Sequence, residues 1–329
     1  MNKDYKIIQL KKDDTALINQ LLDTAAEIHN RKRDSIEWFT WKYFDSPFGE
    51  SICLLAINNN EIAGEVTFGK YEFILNEKPL NCLISYQTMV HPEHQKKGLF
   101  SMLTKEIIKI AKDESIDLIF NFPNKASYTP FEKLNFTPIN HLKNYIFIAN
   151  KFHFTVNFLS IKKPFFATSV NEINAENNSV FNHLKETISP LKIADTLIPS
   201  RTPSFLKWRY FTQPLYDYKI IETDLGWAIV RNGKRGNLNE TQIMECFPNN
   251  RFSNSYVKEL KQQIKRELKP DLILMNVSEN HPINNSLKSA GFISLPHNIS
   301  FFTFSLNKKF EKYSTNKNWI ITATEFHRY

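Results

Sequence analysis

Residues Val90 to Phe136 most constrain what this chain can fold into. An apolar strand ends at Met89-Val90-His91-Pro92. A basic loop follows, Glu93-His94-Gln95-Lys96-Lys97-Gly98-Leu99-Phe100, and runs directly into a helix-period segment, Ser101 to Lys112. This order has a physical use. The first backbone N–H groups of a helix have no internal partners, and the positive end of the helix dipole adds to them. Together they form a ready site for a phosphate or pyrophosphate. Gly98 lets the backbone approach such a ligand closely, and Lys96 and Lys97 add positive charge. A lone basic glycine turn before a helix is usually plain capping. Here a second spaced motif accompanies it. The strand Asp117 to Phe122 precedes Asn124, and the pair Asn135-Phe136 follows that Asn by 11 and 12 residues.

The loop Gln95-x-x-Gly98-x-Phe100 resembles the Gln/Arg-x-x-Gly-x-Gly/Ala pyrophosphate loop of the GCN5-related N-acetyltransferases (GNAT). The Asn124 to Phe136 spacing is similar to that family's Asn followed by Gly-Phe. The chain departs from the pattern at Phe100, where a small residue is usual, and at Asn135, where Gly is usual. Asn tolerates the left-handed backbone nearly as well as Gly. The resemblance covers roughly residues 1 to 150 and implies acetyl-CoA as co-substrate. No metal-ligand spacing appears among the nine histidines, so no metal is expected. The resemblance also implies that the N–H groups of Gln95, Lys96, Lys97, Gly98, Leu99 and Phe100 hold the pyrophosphate. Asn124 completes the coenzyme site, and the edge at Met89 and Val90 pairs with the pantetheine amides.

With 329 residues, 42% of them hydrophobic, the chain suffices for two domains with cores of their own. A net charge of +8 suits an acidic ligand such as a coenzyme phosphate. The lysines are spread along the chain with no long basic run, which argues for a solvated surface over a nucleic-acid partner. Cys53, Cys82 and Cys246 are isolated and read as reduced residues of a cytoplasmic protein. No apolar run reaches the ~18 residues of a membrane span.

The apolar pattern reads as strands at Tyr5 to Leu10, Cys53 to Ile57, Ile62 to Phe68, Tyr71 to Leu75, Leu83 to Val90, Ile119 to Phe122 and Tyr145 to Ala149. Asn58-Asn59-Asn60 supplies a hairpin turn. Helices are expected over Thr15 to Ile28, from Asp34-Ser35 to Tyr43, over Ser101 to Lys112 and over Lys125 to Leu134. The mixture gives an α/β (α+β) class. Trp41-Lys42-Tyr43-Phe44-x-x-Pro47 recurs as Trp208-Arg209-Tyr210-Phe211-x-x-Pro214, and Asn124 to Phe136 recurs in order as Asn280 to Gly291-Phe292. This predicts a tandem duplication. Two GNAT-like domains are expected, 1–155 and 156–329, each a twisted mixed sheet flanked by helices, with the junction near Lys162-Lys163-Pro164. The second copy has Arg251-x-x-Asn254 and no glycine where the loop would fall. It reads as a degenerate domain that shapes the acceptor pocket.

The family reaction moves an acyl group from a thioester to an amine without a covalent enzyme intermediate, so it needs a base for the ammonium proton and an acid for the thiolate. The family's usual acid is a Tyr seven residues after the Asn; here that position is Phe131. Tyr128, one turn earlier, can substitute, although a half-buried packing role is the commoner fate of such a residue. Glu65, Tyr86, Gln87 and His91 are base candidates, with Glu65 preferred; the bland alternative is a solvated strand carboxylate. Lys42 and Arg209 can reach an acidic acceptor, or simply belong with the aromatic core. The expected activity is acetyl transfer to a primary amine, an amino sugar of a surface-polysaccharide pathway being one acceptor class. The rivals are a non-catalytic acyl-CoA-binding module and an aminoacyl-tRNA-dependent transferase.

Overall fold

The computed structural model describes residues 5–157, 168–169, 191–315 and 317–325. The Lys162-Lys163-Pro164 junction lies outside the described residues. Among those described, no helix is long and apolar enough to cross a membrane. The residues group into two units: Met1–Ile139 with Ser300–Asn316, and Asn140–Ile299 with Lys317–Tyr329.

In the first unit, alternating apolar residues and asparagine-rich turns build an antiparallel meander. Strand β1 (Lys6–Gln9) pairs β2 (Ile52–Asn58), which pairs β3 (Glu61–Leu75), which pairs β4 (Lys78–Val90). The β2–β3 turn forms at Asn59 and Asn60, both at positive φ (49° and 66°), as a tight hairpin demands. Parallel strand β5 (Leu118–Asn121) follows, and residues 302–305 pair antiparallel with it. Helices α1 (Thr15–His29), α2 (Ile36–Tyr43), α3 (Leu99–Asp113) and α4 (Tyr128–Glu132) complete the unit. The α3 stripe Leu99, Leu103, Ile107 and Ala111 is buried against Leu83, Ile119 and Phe131. Truncating a wholly buried leucine such as Leu103 costs ~2–5 kcal/mol.

The second unit runs through strands Tyr218–Thr223, Gly226–Arg235 and Leu238–Pro248 as an antiparallel meander, then parallel Leu272–Ser278. Residues 142–148 of strand Thr137–Ile148 pair antiparallel with that last strand. Helices Asn254–Leu268 and Asn284–Ser289 belong to this unit. The α/β class is as expected, a mixed sheet flanked by helices.

Two readings of the sequence differ from this. Ile62 to Phe68 and Tyr71 to Leu75 are one strand, β3. Gly69 and Lys70, between the two expected strands, lie inside it. The unit division also differs from a single cut between residues 155 and 156, because each sheet takes a strand from the other half of the sequence. Strand pairing is set by tertiary packing, which local periodicity does not carry.

Candidate functional site

A β-bulge shapes the centre of the first unit. Phe68 pairs Ser85 and Thr67 pairs Gln87, so Tyr86 is the extra residue on β4. A Cβ on Gly69 would stand 1.9 Å from the Tyr86 ring, so only glycine leaves that ring its place. Bulges bend the strand that carries them. The parallel pairing of β4 with β5 runs from Cys82–Leu118 to Ile84–Phe120 and stops there, just before the bulge. Strand β4 continues to Val90, with Met89 buried and Val90 half-buried. Beyond Ile84, β4 runs on without a β5 partner among the described residues.

At the far end of β4 stands the loop. Gly98 is the residue before α3, at φ 80° and ψ 7°, and Lys96 also has positive φ (60°). No side chain caps α3, and no acidic residue lies in its first turn. The N–H groups of Leu99, Phe100 and Ser101 lie at the positive end of the helix and precede its first internal bond, from Met102 N–H to the Gly98 carbonyl. Nothing lies within 4 Å of where a Gly98 Cβ would be, so a ligand has room there. Gln95, Lys96 and Lys97 are exposed, and Gln95 Nε2 donates to the Val90 carbonyl at 3.4 Å. Leu99 turns its side chain into the core while its N–H faces the loop.

Asn124 has a local task as well. Its Oδ1 accepts from the N–H groups of Ala126 and Ser127, each at 2.9 Å. It holds the turn into α4. Asn135 takes φ 64° and Gly291 φ 89°, the left-handed conformation expected of both. Phe100 and Phe131, two of the three departures from the family pattern, meet edge to face with centroids 5.0 Å apart. Phe131 is 2% exposed and also packs Phe136. The larger ring at 100 thus fills space beside the ring at 131. Tyr128 is half-buried, its ring 4.6 Å from that of Phe302.

Glu65 is not a solvated strand carboxylate; it is wholly buried. Strand β3 is covered on both faces, so alternation there does not mark an outer side. Thr67 Oγ1 donates to Glu65 Oε1 at 2.6 Å, and Gln87 Nε2 donates to Oε2 at 3.1 Å. Tyr43 OH in turn donates to Gln87 Oε1 at 2.9 Å. Burial pushes the Glu65 carboxyl above its usual range, and Thr67, Lys42 and Gln87 pull it partly back. A raised carboxyl is what a base working near neutral pH requires. Lys42 does not reach outward: it is 5% exposed, with Nζ 4.6 Å from the Trp38 ring centre. Arg209 is likewise buried, its guanidinium 5.2 Å from the Tyr210 ring.

Sequence spacing singled out no metal site, yet His91, Glu93 and His94 bring one ligand atom each within 4.8 Å of one another. His94 Nδ1 also shares a hydrogen bond with Tyr5 OH at 2.9 Å. The second unit holds a polar cluster that sequence reading did not anticipate. Arg201 pairs with Glu245 at 2.7 Å and with Glu325 at 2.5 Å. Tyr210 OH donates to Glu245 Oε1 at 3.3 Å. Burial raises the Glu245 carboxyl, and Arg201 opposes it.

Comparison with known proteins agrees with this geometry. The family described as "Acetyltransferase (GNAT) domain" matches residues 6–139. No match was found among the curated proteins. Among solved structures, the chain is similar to a GCN5-related N-acetyltransferase from Anabaena variabilis: TM-score 0.62, 11% identity, covering 92% of this chain and 73% of that one. It is similar to Saccharomyces cerevisiae N-myristoyltransferase with bound myristoyl-CoA: TM-score 0.58, 11% identity, 93% and 80% covered. It is also similar to Eis1 from Mycobacterium abscessus: TM-score 0.60, 9% identity, 94% and 76% covered. Residues 6–139 thus match the GNAT acetyltransferase domain family, and the fold of the chain is similar to that of GNAT acyltransferases.

Proposed function

We propose that this protein is an acetyl-CoA-dependent N-acetyltransferase acting on a small primary amine, with amino sugars the first acceptor class to try. The observation that carries the reading is the uncapped start of α3 at Gly98, beyond the end of β4, a strand that runs on past its pairing with β5. The Gln95 to Phe100 loop holds the pyrophosphate, Lys96 and Lys97 neutralise it, and the β4 edge at Met89 and Val90 receives the pantetheine amides. Asn124 contributes by fixing the turn into α4.

The amine nitrogen attacks the thioester carbonyl and forms the C–N bond. The C–S bond breaks, and the coenzyme leaves as a thiolate. The ammonium proton passes through water to Glu65, the base. Tyr128 protonates the thiolate, which needs little help at neutral pH if it behaves like a cysteine thiol of pKa ~8.5. No step requires a metal. The chain is read as cytoplasmic, with the coenzyme confined to the domain read as residues 1–155 and a degenerate GNAT-like domain over 156–329. The duplication is supported by matching local geometry. Phe136 N–H donates to the Phe131 carbonyl at 3.2 Å, and Phe292 N–H to the Leu287 carbonyl at 3.0 Å, at the same sequence offset. Tyr43 and Tyr210 each donate to the side chain of the residue just past a β-bulge, Gln87 and Glu245.

A second reading, a non-catalytic acyl-CoA-binding module, is favoured by Phe131, whose place in the core leaves no proton donor at that position. Turnover of acetyl-CoA on a panel of amino sugars, polyamines and amino acids decides between them. Thiol release that depends on the amine supports the enzyme. Tight acetyl-CoA binding with no turnover on any amine supports the binding module.

A further inference from the structure

Strand β4 is followed by His91-Pro92-Glu93-His94, which the backbone folds into one tight turn. The fixed φ of proline suits the first position of such a turn. His91 N–H donates to the Ala63 carbonyl of β3 at 3.0 Å, His94 N–H to the His91 carbonyl at 2.9 Å, and Gln95 N–H to the Pro92 carbonyl at 3.3 Å. The turn is thus closed on itself and tied to the sheet. Its three polar side chains bring one ligand atom each within 4.8 Å of one another, the only such group of three among the described residues. Both histidines are half-buried and Glu93 is exposed.

A second observation comes from outside the turn. Tyr5, just before β1, stands edge to face with the His94 ring, centroids 5.6 Å apart, and its hydroxyl lies 2.9 Å from His94 Nδ1. A metal-bound histidine keeps its other ring nitrogen in a hydrogen bond of this kind, which sets the tautomer and the ring orientation. With Nδ1–H donating to the tyrosine oxygen, His94 presents the Nε2 lone pair. The His91 ring is 5.9 Å from that of His94. Glu93 N–H approaches His91 Nδ1 only at 3.4 Å, beyond good hydrogen-bond length, so little holds that ring from an ion. A tetrahedral ion with bonds of ~2.0–2.1 Å spaces its ligands about 3.4 Å apart. The exposed Glu93 side chain is free to close the remaining gap. We propose that His91, Glu93 and His94 bind a divalent transition ion of the zinc class, with a fourth position open to water. Two imidazoles select such an ion over magnesium or calcium, which prefer oxygen. Tyr5 is a positioning residue, and through it the ion fastens the chain before β1 to the turn after β4. The site stands apart from the coenzyme reading, and no step of acyl transfer passes through it.

The test is calorimetric titration of zinc chloride into the untagged full chain, repeated with magnesium in excess. The wild type should take one equivalent of zinc that magnesium does not displace, and its melting temperature should climb as zinc is added. Tyr5→Phe keeps the ring and deletes the hydroxyl, and should weaken zinc ~10-fold, the scale of a lost outer partner. His94→Ala removes a ligand and should cost more, at least ~100-fold. Should His94→Ala fail to fold, Glu93→Gln at the exposed position serves in its place, with a loss of at least ~10-fold. His153→Ala is the control: it removes another histidine beside a carboxylate, Asp271 at 2.8 Å, and should leave zinc affinity as it is. Wild-type protein that binds no zinc overturns the inference. So does zinc held as tightly by folded His94→Ala, or by Glu93→Gln where His94→Ala does not fold. A loss in His153→Ala equal to that in His94→Ala would also overturn it.

Discussion

Two helices of equal length, Leu99–Asp113 and Asn254–Leu268, follow the strand that ends each meander, but their first turns are built in opposite ways. The first is preceded by Gly98 in the left-handed conformation and has no side-chain cap. The second is preceded by Ser253 in extended backbone, and the serine Oγ accepts from the Tyr256 N–H at 3.1 Å. A cap of this kind satisfies a donor that an anion would otherwise take. The basic pair Lys96-Lys97 before Gly98 has its counterpart in Arg251-Phe252 before Ser253. Capacity for a phosphate therefore turns on the residue before the helix, while the surrounding sheet plan is alike.

The comparison breaks most visibly at Gly98. Gly98→Asp should weaken acetyl-CoA at least ~100-fold, since it places a carboxylate at the donors meant for the pyrophosphate. Ser253→Asp keeps a good cap and should leave acetyl-CoA affinity within about twofold. Equilibrium binding to both variants checks this, and a matched loss in the two would erase the distinction between the helices.

The buried carboxylates offer the next contrast. Glu65 is held by neutral groups, Thr67 and Gln87, and Glu245 by the Arg201 guanidinium. Glu65→Gln should lower kcat ~100-fold, within the range general bases contribute, with acetyl-CoA affinity kept. In the wild type, kcat should rise with pH through the raised Glu65 value, because only the ionised form accepts a proton. The Gln variant should lose that limb. Glu245→Gln should act on stability instead, leaving Arg201 with one carboxylate in place of two. A rate–pH profile with the same rising limb in Glu65→Gln would remove Glu65 from the reaction.

Smaller effects follow. Tyr128→Phe should lower kcat by ~10-fold if the hydroxyl protonates the thiolate; an unchanged rate leaves Tyr128 only its packing against Phe302. Ser253→Ala should cost ~1 kcal/mol of stability, read from denaturant melts, without creating a second coenzyme site.

Much of this was legible in the sequence for local reasons. The loop before α3, the positive φ of Asn135 and the Asn59-Asn60 hairpin follow from glycine and asparagine chemistry. What escaped depends on distant residues. The two strands expected on either side of Gly69 are one, and Gly69 makes room for the Tyr86 ring from the next strand. Glu65 sits on a strand with both faces covered, so no alternation announced its burial. The turn that Asn124 Oδ1 holds was likewise not announced by its motif spacing.

Calorimetric titration of acetyl-CoA into the full chain tests the central claim most directly, because stoichiometry counts open helix starts. The account predicts one coenzyme per chain, lost in Gly98→Asp and kept in Ser253→Asp. Two equivalents per chain, or one that survives Gly98→Asp, would contradict it.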